Sequence, residues 1–329
     1  LQAVQYYTTA QTHAFREENL KAIEFFEKAA IEDPNFGRAY AGWATSETKL
    51  GHREKAEELW KKTLSLIDGM SEREKYRTLG VYYTLVTANY AKAIENYELL
   101  VEKFPADGIA WNNLGVAYFY TLQFGKAMEV GKELVDLFPN NPAFSANYAL
   151  FAMYAGDFAA ARSEAERLLL EEPDYFLAYL PIAMADIVDG KLDVAESVYQ
   201  RMAAIGRRAD SVATTGLADI AQLRGDYPRA VALLEQGRQT DLANNNSWGG
   251  AYKGVYLAVA QAALGERDSA LANLAQSLQD NDALSHVIPA AMVYIELGEL
   301  AAAAEIQREL AAQLQQQYRA AAELIDGMI

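Results

Sequence analysis

The sequence predicts an all-α fold, a right-handed α-solenoid of about nine helix-turn-helix units with a C-terminal capping helix. Three observations predict it. Pro105, Pro139 and Pro173 recur every 34 residues, Ala127, Ala161 and Ala195 recur in the same step, and Gly156 is followed by Gly190. In the stretch WNNLGVAYF, Trp111 to Phe119, Trp111, Leu114 and Tyr118 fall on one helical stripe, with Gly115 beside it.

Each unit is predicted to be two antiparallel helices. Small residues such as Gly115 and Ala127 let the helices approach closely, the aromatic stripe is buried between them, and a proline ends the second helix because it has no N–H to continue it. Read along the chain, units start near 3, 37, 73, 108, 142, 176, 211, 251 and 284. Tyr6, Ala10, Ala22 and Pro34 mark the first, and Tyr40, Ala44, Gly51 and Ala56 the second. Tyr76, Gly80 and Tyr83 mark the third, where Ala93 comes one residue late and predicts a longer turn. Gly225 with Ala230, Gly265 with Ala270, and Gly298 with Ala303 carry the pattern through the last three. Two inserts interrupt it, one near 67–72 and one at 237–250, where Asn244-Asn245-Asn246 and Gly249-Gly250 predict a long loop. Trp248 in that stretch is read as a cover for adjacent helices, and Asn245-Asn246-Ser247 fits a glycosylation sequon. Pro181 and Pro289 fall inside first helices and predict a kink or a shortening there. Such units cannot bury their faces alone, so residues 1–329 are expected to form a single solenoid.

Composition narrows the function. The 329 residues are 51% hydrophobic and carry a net charge of -16, which disfavours phosphate backbones and anionic lipid as partners. The absence of cysteine removes disulfides, thiolate nucleophiles and cysteine metal sites. The longest apolar runs, such as Phe176 to Ala185, are too short to span a bilayer, so direct membrane insertion is not expected. The start at Leu1-Gln2 reads as a processed or excised piece. His13, His52 and His286 lack partners at metal-ligand spacing, and no cofactor is expected. Gly125 to Glu133 has the wrong glycine spacing for a phosphate-binding loop and lies in a predicted second helix. No catalytic constellation emerges, and the chain is not expected to be an enzyme.

The period and the WNNLGVAY signature resemble the tetratricopeptide repeat. A longer run, Ser71-Glu72-Arg73-Glu74-Lys75-Tyr76, Tyr82-Tyr83, Tyr90 to Glu98, Phe104-Pro105 and Asn112-Asn113-Leu114-Gly115, resembles tetratricopeptide regions that follow bacterial, acidobacterial-type, eukaryotic-like serine/threonine protein kinases. Similar regions follow winged-helix regulators and cyclases. The resemblance covers Ser71 to Pro142 and implies a sensor or interaction region of a multidomain signalling protein. It further implies a position on the extracytoplasmic side of a membrane-anchored parent, with the cytoplasm as the other placement. The chain itself has no Gly-rich loop, HRD or DFG, so no kinase residue carries over.

In this fold positions 2, 5, 6, 9, 12 and 13 of each unit face the inner surface. The candidate peptide-binding residues are Asn112, Asn113, Val116, Phe119 and Tyr120 in the fourth unit, Asn147, Leu150, Met153 and Tyr154 in the fifth, and Leu180 and Met184 in the sixth. This apolar, aromatic surface with adaptable methionine suits a helix or an extended peptide of a protein partner. Asn113 and Asn147 occupy the same position in consecutive units, where their amides could bond a peptide backbone as a two-rung ladder or serve the structure. Arg77 and Asn113 fill only part of a carboxylate clamp, so an acidic C-terminal tail is not expected. A small-molecule or short-peptide sensor enclosed by the superhelix is the alternative, and the convex face and C-terminal helix are left for self-association.

Overall fold

The computed structural model describes residues 1–16, 18–281, 283–313 and 316–329. The chain divides into two compact units, Leu1–Pro139 and Asn140–Ile329. Both are all-α segments of solenoid, and no strand occurs among the described residues.

The first unit holds four helix pairs. They are α1 (Gln2–Phe15) with α2 (Asn19–Glu32), α3 (Gly37–Lys49) with α4 (Arg53–Ser65), α5 (Glu72–Leu85) with α6 (Tyr90–Lys103), and α7 (Gly108–Tyr120) with α8 (Phe124–Leu137). The second unit continues with α9 (Pro142–Tyr154) and α10 (Phe158–Glu171), then α11 (Tyr179–Val188) and α12 (Leu192–Ala203). It ends with α13 (Arg207–Leu223) and α14 (Tyr227–Ala243), α15 (Ser247–Ala263) and α16 (Arg267–Asp280), α17 (Leu284–Glu296) and α18 (Leu300–Ala311), and the capping helix α19 (Gln316–Asp326). Within the units first helices also touch first helices, as α1 with α3, α3 with α5, α9 with α11, and α13 with α15.

The periodic residues do what their chemistry requires. Ala127, Ala161 and Ala195 are wholly buried, so a larger side chain would wedge the helices apart. Pro34, Pro105, Pro139 and Pro173 each stand two residues after the end of a second helix. The aromatic at the fourth position ties its unit to that proline: the Trp111 indole N–H donates to the Pro105 carbonyl at 2.9 Å, and the Tyr179 hydroxyl donates to the Pro173 carbonyl at 3.0 Å. Six of the turns between paired helices hold a glycine, at 51, 156, 190, 225, 265 and 298, with φ between 73 and 85°. That left-handed conformation strains any residue with a Cβ.

The region near 67–72 contains a 3-10 turn, Ile67–Gly69, and then a capping box in which the Ser71 side chain accepts from the Glu74 N–H while Glu74 accepts from the Ser71 N–H. The expectation of a long loop at 237–250 is corrected. Helix α14 runs to Ala243 and α15 starts at Ser247, so only a short turn separates them. The glycines there serve close packing. A Cβ on Gly237 would meet Thr214 and the Lys253 stem, and one on Gly250 would meet Leu242. Helices α13, α14 and α15 have 17 residues each, against 13 in α7, and α13 and α15 therefore begin four residues before the expected 211 and 251. Pro181 is accommodated by a 3-10 turn at Phe176–Ala178, which shortens α11 to 10 residues. Pro289 sits inside α17 without ending it.

Candidate functional site

The run that begins Ser71-Glu72-Arg73-Glu74-Lys75 is a local clamp in the first unit. Ser71 and Glu74 cap α5, Glu72 accepts from Lys103 at 2.7 Å, and Lys75 lies 3.5 Å from Asp68. Arg73 Nε donates to Asp107 Oδ2 at 2.9 Å and Arg77 pairs with the same carboxylate, which in turn accepts from the Ala110 N–H and caps α7. Burial works against the Asp107 charge, but the two guanidinium groups outweigh it and hold the carboxyl below its usual range. Arg77 is thus committed to structure. Asn113 is committed too, since its amide donates to the buried Tyr97 hydroxyl at 3.4 Å.

The predicted inner-face residues distribute as follows. On α7, Asn112, Asn113, Val116 and Phe119 are half-buried and Tyr120 is exposed. Phe119 packs on Phe124 of its own pair, with ring centroids 5.4 Å apart, and Tyr120 stacks on Tyr90 at 5.4 Å. In the second unit Asn147, Leu150, Met153, Leu180 and Met184 are half-buried and Tyr154 is exposed, while two other inner positions, Ala146 and Pro181, are buried. Leu180 packs against the core built around Tyr179, Tyr199 and Met202.

Each unit carries a cavity. In the first, a space of about 720 Å³ is lined by Thr8, Gln11, Arg16, Arg38, Thr45 and Lys49, with Val81 and Ile109 farther along. Apart from Thr12, Arg16, Asn19, Phe26 and Ser46, its lining residues stand at the inner positions of the first four units, on α1, α3, α5 and α7. In the second unit a space of about 730 Å³ lies where the lengthened α13, α14 and α15 meet, lined by Arg207, Ser211, Thr240, Asn244, Asn246 and Trp248 among others. Trp248 is half exposed, stacks on Tyr252 at 5.1 Å and meets the buried His286 edge-on at 5.3 Å. Beside this space Lys253 is buried, with Nζ 2.6 Å from Asp241 Oδ2 and 3.0 Å from Ser211 Oγ. His13 and His52 pair with Glu18 and Glu47, and His286 lies 3.1 Å from the Trp248 carbonyl.

Asp219 on α13 is half-buried, and its desolvation pushes its carboxyl up to about 6. Its charge adds to the burial that raises the Tyr199 phenol to about 12, and it acts with Tyr256 and Tyr154 on Tyr252, whose phenol is raised first by burial. The unfolded carboxyl titrates near about 3.9. Between the two values the folded chain holds a proton that the unfolded chain has lost, so this contribution is complete at low pH and disappears as pH rises through about 6. Asp219→Asn is expected to raise the melting temperature at neutral pH and to leave it little changed near pH 4, roughly where the unfolded group titrates. Parallel melts of wild type and variant across that range check this; a constant difference would refute it.

Among the described residues no helix is long and apolar enough to cross a membrane. The sequence model of the tetratricopeptide repeat family matches residues 85–142 and 149–213. No curated protein matches the chain. Among solved structures, the APC/C hetero-tetramer Cut9-Hcn1 is similar at a TM-score of 0.60 and 15% identity, over 88% of this chain and 54% of that one. The chain thus spans about half the length of that relative. A tetratricopeptide repeat protein from Parabacteroides merdae is similar at a TM-score of 0.50 and 13% identity, over 73% of this chain and 93% of that one. Residues 85–142 and 149–213 are therefore similar to tetratricopeptide repeats in sequence, and the fold is the all-α solenoid that these structures share.

Proposed function

We propose that the chain is a non-catalytic scaffold, a single array of tetratricopeptide units across residues 1–329, that binds a protein or peptide on the inner face of its first helices. The observation that supports this most is the cavity of about 720 Å³ lined mostly by inner positions of four successive first helices. A peptide laid along such a face meets one side-chain row after another, without any helix having to move. Asn112, Asn113, Val116, Phe119, Tyr120, Asn147, Leu150, Met153, Tyr154, Leu180 and Met184 are proposed as further contact residues, and their partial exposure is consistent with that role. The resemblance of Ser71 to Pro142 supports reading the scaffold as the sensor or interaction region of a bacterial signalling protein.

The test is capture of partners from the source cell by wild type and by Val116→Glu with Leu150→Glu. The double variant is expected to lose a partner while its circular dichroism and melting stay near wild type. Unchanged capture by the folded variant would remove these positions from the contact face. The cavity of about 730 Å³ in the second unit favours a second reading, a sensor for a small molecule or short peptide.

A further inference from the structure

We propose that the groove of the first unit takes an acidic peptide segment of a partner protein, and that Arg16, Arg38 and Lys49 recognise its carboxylates. The proposal rests on the scaffold reading and adds the chemistry of the partner. The groove lining contains three cationic side chains and no carboxylate. This is a local reversal in a chain with 45 acidic and 29 basic residues.

The reversal persists at the level of contacts. Arg77, Arg162, Arg167, Arg224, Arg229, Arg238 and Arg267 each hold a carboxylate of their own chain. Arg38 does not. Its guanidinium is half-buried and donates to two neutral oxygens, Thr78 Oγ1 at 3.0 Å and the Tyr7 hydroxyl at 3.2 Å. A partly desolvated cation without a counter-charge is unfavourable, and an incoming carboxylate relieves it. Among the described residues Arg16 and Lys49 form no ion pair either, and both are exposed at the groove.

The remaining lining fits a peptide backbone. Thr8, Thr12 and Thr45 each donate their hydroxyl proton to the carbonyl four residues back, at 2.9, 3.1 and 2.8 Å. What they turn to the groove is therefore oxygen lone pairs, which accept from backbone N–H groups. Phe15, Val81 and Ile109 add apolar surface for a side chain between the acids. An all-acidic polymer would leave that surface unused. A nucleic acid would be repelled by the rest of the chain.

The test is a fluorescence-anisotropy titration of the full chain with a short labelled peptide of mixed Glu, Leu and Gly, and with counterparts carrying Gln or Lys for Glu. The Glu peptide is expected to bind saturably, to bind at least about tenfold more tightly than the Gln peptide, and to weaken with added salt. Arg16→Glu with Lys49→Glu, both at exposed positions, should weaken it by at least about tenfold with unchanged circular dichroism. Arg38→Gln, which keeps donors for Thr78 and Tyr7, should weaken it further. Equal binding of the Glu and Gln peptides, wild-type binding by the charge-reversed variant, or no saturable binding of the Glu peptide would overturn the proposal. Preference for the Lys peptide or for an oligonucleotide would overturn it as well. The scaffold reading survives any of these results if Val116→Glu with Leu150→Glu still loses a cellular partner, and if that variant loses none, these two positions leave the contact face whatever the groove of the first unit binds.

Discussion

Asp241→Ala is expected to lower the stability of the second unit by about 3–5 kcal/mol, the cost of leaving one member of a buried ion pair without the other. Lys253 is 2% exposed and Asp241 4% exposed, so neither can turn to water. Removing the carboxylate strips an acceptor from three donors at once: Lys253 Nζ at 2.6 Å, Ser211 Oγ at 2.9 Å and Asn246 Nδ2 at 3.1 Å. Asn246 also caps α15 by accepting from the Gly249 N–H at 3.1 Å, so the damage reaches the helix start. Asp241→Asn keeps the shape and one acceptor and should fall between wild type and Ala. Asp241→Leu with Lys253→Met removes both charges and should recover most of the loss. Urea unfolding followed by circular dichroism measures all three. A loss below about 1 kcal/mol in the Ala variant, the size of an ordinary hydrogen bond, would show that the pair is solvated after all.

Gly80→Ala should act against helix propensity. An exposed mid-helix glycine replaced by alanine gains roughly 0.5–1 kcal/mol. At this position the new Cβ would lie 2.6 Å from Tyr97 Cζ and 2.8 Å from Cδ1. Tyr97 is 1% exposed, and burial pushes its phenol up to about 12, so the ring has nowhere to retreat. The expected result is a net loss of about 1–3 kcal/mol, the usual range for overpacking. Adding Tyr97→Leu should couple with it and recover part of the loss. Gly216 faces Tyr199, and Gly42 faces Phe26, in the same way. A Gly80→Ala variant as stable as wild type would mean that the ring shifts freely.

The period was legible because each recurring residue has one physical job that its type alone can do. Alanines at 127, 161 and 195 have no volume to spare, and the prolines end helices. The stretch 237–250 was misread because glycine is ambiguous in sequence. It marks a turn where φ is positive and a close contact where two helices meet, and Gly237, Gly249 and Gly250 are of the second kind. The groove of the first unit was within reach of the sequence. The inner positions of the second repeat spell Arg38, Ala41, Gly42, Thr45, Thr48 and Lys49, and all but Thr48 line it. That Arg77 is taken by Asp107, and Asn113 by Tyr97, depends on contacts between helices of neighbouring pairs, which no local pattern reports.

The left-handed glycines at 51, 156, 190, 225, 265 and 298 set the reversal inside most helix pairs by backbone geometry alone. A hairpin whose bend owes nothing to its neighbours is an interchangeable part. Duplication or deletion of one such pair leaves the remaining glycine bends intact, so a change in the number of pairs does not require the other hairpins to be rebuilt.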